Sequence, residues 1–318
     1  MSALAEAVIL LGSGGFIGRN LVEALRGRAG TLIGVTGRGL PTPGCDRTVT
    51  LDGLDDLPAL PADTVLINVA AYRYDAARFR EEQSVILERN LAIAGAAYAF
   101  CVRRGITEVR QAGSSAVYPA GSDIQDDAVP VDLNRPPNAG EAGYAWSRRF
   151  AEVMAGVHRD LYGIHTQTFR LSNPFGPFDS TDEKTSHVAA ALIIRALTEE
   201  GPLRLLGNPD AERDFVFSGD VAAVFAASCR RRGLHDTWNL AQGRTVSIRR
   251  FAETVLAAAG LERPIAVADT LPAGVNLRRP TGERLAAAFP EVALRPLADG
   301  LAESIPWYRR ALEAEGRL

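Results

Sequence analysis

Residues 7–26 read AVILLGSGGFIGRNLVEALR, and this stretch decides the fold class. Its first five residues form an apolar run typical of a buried strand, and the residues from Ile17 onward have the apolar spacing of a helix. Gly12, Gly15 and Gly18 lie in the turn between them. Such glycines permit a tight turn, let a pyrophosphate approach the backbone and let the helix pack closely on the strand. The stretch therefore predicts a dinucleotide-binding unit at the start of the chain.

Short apolar runs alternate with longer helical patterns through the first half of the chain. The predicted strands are 7–11, 31–36, 48–51, 65–69, 108–111 and 166–171, and the predicted helices are 17–26, 79–104 and 144–162. This alternation favours an α/β fold, a Rossmann doubly wound parallel sheet. After Ser172 the alternation weakens, so we expect a smaller C-terminal substrate-binding lobe. The expected division is 1–172 with 212–243 for the dinucleotide domain, and 173–211 with 244–318 for the lobe.

Composition narrows the class of function. The 318 residues, 47% of them hydrophobic and 23% charged, are enough to bury a large core, and the net charge of -3 offers no positive excess for nucleic acid. No apolar run approaches the roughly 20 residues that cross a bilayer, and the first six residues lack the basic start of a signal peptide. We therefore expect a cytoplasmic protein with no membrane or nucleic-acid partner. Three widely spaced cysteines fit neither a disulfide framework nor a metal site.

The end of the second predicted strand bears on the choice of dinucleotide. An acid about 20 residues after the glycines holds the ribose of NAD, whereas an arginine accommodates the 2′-phosphate of NADP. This chain has Thr36, Gly37 and Arg38 there, which favours NADP, with Arg19 as a second phosphate partner and NAD still possible. Asp52 is placed to meet the adenine. The predicted cofactor contacts in these segments are Gly12, Gly15, Phe16, Ile17, Gly18, Arg38, Asp52, Gly53, Ala70 and Ala71.

Three further segments carry a family resemblance. They read GSSAVYP at 113–119, YAWSR at 144–148 and RLSNPFGP at 170–177. With the glycine turn they resemble the extended short-chain dehydrogenase/reductases, the NAD-dependent epimerase/dehydratase family, over nearly the whole chain. Residues 280–291 and 300–310 resemble the family's closing helices. The resemblance implies an NAD(P)-dependent enzyme that acts on a nucleotide sugar, and a homodimer formed through the helices around 80–104 and 144–162.

Within this family, residues 173–195 are similar to the GDP-fucose synthase group. That similarity implies that His187 is the catalytic histidine and that Arg195 and Arg213 hold the substrate diphosphate and nucleotide. Ser115 and Asn173 are further implied substrate contacts. The expected reaction is the NADPH-dependent reduction of the C4 ketone of a nucleotide-linked 4-keto-6-deoxyhexose, a step of deoxysugar biosynthesis.

Reduction of a ketone requires a proton donor for the oxygen that becomes an alkoxide and a second donor that fixes the carbonyl. The resemblance assigns these roles to Tyr144 and Ser114. A phenol with a pKa near ~10 needs a neighbouring cation to serve as a proton relay, and the family has a lysine four residues after the tyrosine. Arg148 stands at that position, where it is also an implied cofactor contact together with Tyr144. Three hypotheses stay open: neutral replacement in a chain whose only lysine is Lys184, an altered but active site, or a weakened activity.

A second departure from the GDP-fucose synthase group concerns epimerisation. That group has a cysteine two residues after the motif serine, and this chain has Ala116. Epimerisation needs a base on one face of a carbon and an acid on the other, and alanine is neither. We therefore expect reduction without epimerisation, in which His187 orients a sugar hydroxyl or shares in proton delivery. The alternatives are an epimerase or dehydratase with tightly held NAD(P), and a catalytically silent dinucleotide sensor.

Overall fold

A seven-stranded parallel sheet lies at the centre of the fold. The structure is a computed structural model that describes residues 4–72, 81–268 and 276–318. The described strands are β1 (Ala7–Leu11), β2 (Thr31–Val35), β3 (Arg47–Val49), β4 (Thr64–Asn68), β5 (Glu108–Ser114), β6 (Ile124–Gln125), β7 (His165–Leu171), β8 (Asn173–Phe175), β9 (Leu203–Leu205), β10 (Glu212–Arg213), β11 (Phe215–Phe217), β12 (Asp236–Leu240), β13 (Val246–Ser247), β14 (Ile265–Val267) and β15 (Leu277–Pro280). The central sheet has the order β12-β7-β5-β4-β1-β2-β3.

Helices cover both faces of this sheet. The described helices are α1 (Phe16–Leu25), α2 (Gln83–Arg104), α3 (Ala142–Tyr162), α4 (Val188–Thr198), α5 (Ser218–Ser228), α6 (Ile248–Ala259), α7 (Glu283–Ala288) and α8 (Leu297–Ala314). α1 packs against α5, while α2 packs against α3, β4 and an apolar cluster of its own. Every residue of β1 and β4 is buried, as expected for parallel strands covered on both sides. The predicted Rossmann fold is confirmed.

A second layer of structure follows the central sheet. Helices α4, α6 and α8 pack together around an apolar cluster that includes Phe215, Phe251 and Tyr308. Beside them lies a four-stranded sheet, here called the second sheet, in the order β13-β10-β15-β6. The packing crosses the predicted domain division at several points. β6 pairs with β15, β8 pairs with β11, β10 pairs with β13 and β15, and α7 packs against β12. The division itself stays a prediction.

One predicted boundary was wrong for a reason that matters to the site. The strand predicted at 108–111 continues to Ser114, because Ala112, Gly113 and Ser114 pair with the last three residues of β7. This pairing overrides the weak strand preference of glycine and serine. The helix predicted from residue 79 begins at Gln83 in the described chain, and 79–80 lie outside the described residues. The other predicted elements differ from the structure by one or two residues at their ends.

Helix α2 is the one described helix that is long and apolar enough to cross a membrane by length and composition. Its residues Ile86, Tyr98, Phe100 and Cys101 are buried, and the helix packs against α3 and β4. A core helix meets the same length and composition criteria, and the packing of α2 is that of a core helix.

Replacing Gly18 by alanine tests the close approach of α1 to β1. A Cβ at this position would lie 1.9 Å from the carbonyl oxygen of Gly12 and 2.8 Å from Cα of Ser13. We expect Gly18→Ala to reduce the free energy of unfolding by about 3 kcal/mol, the upper end for overpacking, in a denaturant titration. Gly207→Ala is the control, because a Cβ there meets no atom within 4 Å; it should stabilise by about 0.4–1 kcal/mol. Equal stability of the two variants would show that the approach is not tight.

Candidate active site

The glycine turn leaves the N-terminus of α1 open at the carboxyl edge of the sheet. Gly12 has a φ of 87°, and the N–H of Gly15 donates to its carbonyl over 2.9 Å. A Cβ on Gly12 would lie 2.9 Å from Cα of Ala70, so the turn also fits closely against the chain that follows β4. Gly15 is exposed and directly precedes α1, whose first turn holds no acid. The first backbone N–H groups of α1 can therefore meet an anion.

The predicted cofactor residues other than Tyr144 and Arg148, which lie on α3, follow the carboxyl ends of four neighbouring strands. Gly12 to Gly18 follow β1, Arg38 follows β2, Asp52 and Gly53 follow β3, and Ala70 and Ala71 follow β4. The ends of β2 and β3 are joined by the N–H of Thr36, which donates to the carbonyl of Val49 over 3.0 Å. Arg38 and Asp52 are both exposed at this edge. The fold thus brings these residues to one edge, and their contacts with a cofactor stay predictions.

Three buried polar atoms near this edge have no hydrogen-bond partner within the described chain. They are Thr36 Oγ1, Arg19 Nε and Arg148 Nε. A buried polar atom without a partner costs about 1–3 kcal/mol, and a bound ligand is one way to satisfy it. Thr36 follows β2, and Arg19 lies in the first turn of α1. With the open turn, these atoms fit a dinucleotide that carries phosphates and ribose hydroxyls.

The segment 176–178 contacts the start of α1 through a hydrogen bond and a cation–π interaction. Asn20 donates from Nδ2 to the carbonyl of Pro177 over 2.8 Å, and the guanidinium carbon of Arg19 lies 5.0 Å from the ring centroid of Phe178. Phe178 has a φ of 69°, a left-handed conformation that costs a non-glycine residue of order ~1–3 kcal/mol. Such strain persists only where the surroundings fix it, and here Arg19 and the ring of Trp307 both contact Phe178.

Tyr144, Arg148 and the strand that ends at Ser114 meet at the start of α3. The guanidinium carbon of Arg148 lies 5.1 Å from the ring centroid of Tyr144, one helical turn earlier. Arg148 is buried and donates from Nη1 to the carbonyl of Ala112 over 3.3 Å. Ala112 precedes Ser114 by two residues on β5. Arg148 therefore links the helix of the tyrosine to the strand of the serine.

Further contacts fix the start of α3. The N–H groups of Gly143 and Tyr144 donate to Oε1 of Gln83 over 2.7 and 3.4 Å. A Cβ on Gly143 would lie 2.0 Å from the carbonyl oxygen of Gln83, so only glycine allows α3 to approach α2 here. The backbone of Tyr144 is thus held in place by a second helix.

The serine and the arginine have defined chemical roles in this arrangement. Ser114 Oγ accepts from the N–H of Ala116 over 3.1 Å, which leaves the hydroxyl proton free to be donated to a carbonyl oxygen. The guanidinium of Arg148 places a fixed positive charge beside the Tyr144 ring. Arginine does not release a proton in proteins, so Arg148 provides charge but no relay.

Ser115 follows β5, and the other predicted substrate residues lie on the elements that follow β7. Asn173 donates from Nδ2 to the carbonyl of Asp214 over 2.8 Å, Ser115 is buried beside Ser114, and His187 is exposed directly before α4. Arg195 is buried, its guanidinium pairs with Glu183, and Nη1 donates to the carbonyl of Arg204. The protein itself thus engages Arg195, whose predicted substrate contact stays a prediction.

A residue that the sequence did not indicate stands beside Arg213. Arg278 on β15 is its direct partner in the parallel pairing with β10. Burial and the charge of Arg278 both lower the pKa of Arg213. Two adjacent guanidinium groups repel each other, so the pair is suited to bind an anion such as a diphosphate. Arg278 lies 65 residues further along the chain, and no spacing or motif connects the two.

Asp214 fixes the backbone next to Arg213. Its carboxylate accepts from the hydroxyl of Ser172 over 2.8 Å and from the N–H groups of Gln242 and Arg244 over 3.0 and 3.2 Å. Burial raises the pKa of Asp214 to about 6, and these donors oppose the shift. Among the residues that the structure describes, no three His, Cys, Asp or Glu side chains cluster as a metal site.

Comparison with known proteins now defines the family. Residues 8–241 match the family described as NAD dependent epimerase/dehydratase. The chain belongs to this family. The predicted family is thereby confirmed, and the protein is an enzyme of the nicotinamide-dependent oxidoreductase and epimerase class.

Individual relatives cover most of the chain. It is 26% identical over 324 residues to a dTDP-4-dehydro-6-deoxy-D-allose reductase of a Streptomyces species, and this alignment covers 96% of each protein. It is 27% identical over 209 residues to a GDP-L-fucose synthase of Sinorhizobium fredii, and this alignment covers 64% of each protein. The solved structure of a GDP-L-fucose synthetase from Naegleria fowleri bound to NADP superposes with a TM-score of 0.81 over 98% of this chain and 96% of the other. At 14% identity, that likeness shows the fold alone.

Substitutions on α3 test the roles of Tyr144 and Arg148 in this family member. A positioned general acid contributes about 100- to 10,000-fold to the rate, so Tyr144→Phe should lose turnover within that range. Arg148→Met should lose no more than Tyr144→Phe, because it removes the cation beside the ring but leaves the tyrosine hydroxyl in place. Arg148→Lys should retain or raise turnover.

The control is Arg159→Met, the same change at an exposed position of α3 where the arginine pairs with Asp160. Its turnover should equal that of the parent. Turnover is measured at saturating cofactor after each variant is shown to fold. Parent rates in both Tyr144→Phe and Arg148→Met would place the proton donor elsewhere.

Proposed function

We propose that the protein reduces the C4 ketone of a nucleotide-linked 4-keto-6-deoxyhexose with NADPH, in deoxysugar biosynthesis. One observation carries the proposal: a buried arginine lies against the ring of Tyr144 and joins its helix to the strand of Ser114. That arrangement supports a proton-donating role for Tyr144 with Arg148 as its electrostatic partner. The reductases and synthases among the relatives support the substrate class.

In the proposed reaction a nicotinamide dinucleotide held by the glycine turn and the strand ends beside it would provide the hydride that C4 accepts. Ser114 donates a hydrogen bond from its hydroxyl to the ketone oxygen, which fixes the position of the ketone while the serine keeps its proton. Tyr144 transfers a proton to the same oxygen as negative charge develops, and Arg148 stabilises the phenolate that remains. Because Arg148 keeps its protons, the phenol is restored by a proton from solvent.

The substrate would lie across the carboxyl edge toward the second sheet. Arg213 and Arg278 bind the diphosphate, while Ser115, Asn173 and His187 contact the sugar. Arg195 reaches the nucleotide only after it gives up its pair with Glu183. Ala116 is buried and offers no acid or base, which disfavours epimerisation next to the ketone.

We also propose a homodimer through α2 and α3. Phe150, Val153, Val157 and Leu161 form one apolar stripe on α3, and each is more than 40% exposed, Leu161 as much as 69%. Val85 and Val102 add exposed apolar surface on α2. A contiguous apolar patch of this kind is typical of an interface. The three free cysteines agree with a reducing, cytoplasmic location.

The stoichiometry of cofactor use tests the proposed reaction. A reductase oxidises one NADPH for each 4-keto sugar reduced, whereas an epimerase or dehydratase returns the hydride to its product. We expect the loss of reduced-nicotinamide absorbance to equal the product formed, as quantified by chromatography. Sustained product formation without net loss of NADPH would contradict the proposal.

Titration of both cofactors tests the role of Arg38. Because Arg38 replaces the acid that holds the ribose of NAD, we expect NADPH to bind more tightly than NADH and the preference to shrink in Arg38→Ala. The control is Arg47→Ala, since Arg47 is exposed at the opposite, amino end of β3. An unchanged preference in Arg38→Ala would remove this residue from the cofactor site.

A further inference from the structure

An acidic residue forms an ion pair with one of the two arginines that are proposed to bind the diphosphate. The carboxylate of Glu141 forms an ion pair with the guanidinium of Arg278. Their side chains are only 20% and 21% exposed, so solvent screens the contact less than it screens a surface pair. Arg278 in turn is the strand partner of Arg213. One carboxylate and two guanidinium groups therefore form a single cluster.

Glu141 also belongs to the start of the catalytic helix. It ends a short 3-10 turn, Ala139–Glu141, and directly precedes α3, three residues before Tyr144. The side chain of Asn138 fixes this turn by accepting from the N–H of Gly140 over 2.9 Å. The ion pair thus connects the second sheet to the helix that carries Tyr144.

The same two residues line a pocket that reaches the serine segment. Glu141 and Arg278 form part of its wall, together with Ser115 and Ala116. A ligand that extends from the arginine pair toward Ser115 would therefore pass Glu141. The carboxylate lies on the proposed path of the substrate.

The charges make Glu141 the internal counter-ion of the two arginines. The charge of Arg278 lowers the pKa of Arg213, and the charge of Glu141 acts in the opposite direction. A diphosphate brings at least two negative charges to the same guanidinium groups. Phosphates that bind Arg278 would lie next to the Glu141 carboxylate and would repel it. The phosphates and the carboxylate therefore cannot both bind Arg278 favourably at once.

We propose that Glu141 is a positioning residue that holds Arg278 in the free enzyme and is displaced by the diphosphate of the nucleotide sugar. The inference rests on the proposed function, in which the arginine pair binds that diphosphate. The competition lowers the affinity of the enzyme for the nucleotide part of its substrate. Displacement also releases the link between the second sheet and the start of α3 each time a substrate enters.

Calorimetric titration of free nucleoside diphosphates tests the competition without any catalytic step. dTDP, GDP and UDP are each titrated into the NADPH-saturated enzyme and its variants. We expect Glu141→Gln and Glu141→Ala to bind the preferred diphosphate about 3- to 10-fold more tightly, because the carboxylate no longer competes with the phosphates for Arg278. In turnover assays both variants should lower KM without raising kcat.

Glu212→Gln is the matched control. Glu212 adjoins Arg213 on β10, is exposed, and accepts from the hydroxyl of Thr245, so its removal changes the net charge equally without touching Arg278. Its affinity should equal that of the parent. In an Arg278→Gln background, Glu141→Gln should have no effect, because the residue that it competes for is gone. Melting temperatures confirm that each variant is folded.

The outcomes distinguish a failure of this inference from a failure of the proposed function. Equal or weaker binding by both Glu141 variants would overturn the inference, and so would an equal gain in the Arg278→Gln background. If none of the three diphosphates binds the parent with an affinity that Arg213→Gln lowers, the proposed diphosphate site itself fails and the inference falls with it.

Discussion

The guanidinium of Arg148 joins the helix that carries Tyr144 to the strand that ends at Ser114, and the chemistry proposed for the site depends on that junction. Ser114 and Tyr144, the two side chains proposed to be catalytic, are 30 residues apart in sequence, so only tertiary contacts bring their elements together. A lysine at this position would offer a flexible amine that can exchange protons. The planar arginine instead spans from the ring to the carbonyl of Ala112 with a fixed charge. In the proposed reaction Arg148 therefore provides electrostatic support for the tyrosine and no proton.

The parallel sheet explains why cofactor and substrate residues converge. The carboxyl ends of parallel strands share one edge, and helix N-termini such as that of α1 point toward it. The nucleotide residues follow β1 to β4, Ser114 ends β5, and Asn173 follows β7. The second sheet then brings Arg213 and Arg278 to the same side, with Glu141 between them and α3. The fold thus places the residues proposed to bind the dinucleotide next to those proposed to bind the substrate.

The local parts of this arrangement could be predicted from the sequence, and the contacts between distant segments could not. The glycine turn, the serine segment and the tyrosine helix each carry their signal within a few residues. The pairing of Gly113 and Ser114 with β7 lengthened β5 against their local preference. Arg278 and Glu141 have no motif, because their roles arise from strand pairing and an ion pair between segments 137 residues apart. Arg195 matched the motif, yet packing engages it with Glu183.

Deuterium tracing tests the central claim of reduction without epimerisation most directly. The enzyme converts a 4-keto-6-deoxyhexose nucleotide with NADPH that carries deuterium at C4 of the nicotinamide, and separately with unlabelled NADPH in deuterated water. Nuclear magnetic resonance locates the label in each product, and an incubation without enzyme corrects for spontaneous exchange. The account predicts cofactor-derived deuterium at C4 of the sugar and no solvent-derived deuterium on its neighbouring carbons C3 and C5. Enzyme-dependent deuterium at C3 or C5, or product that lacks the cofactor's deuterium, would contradict it.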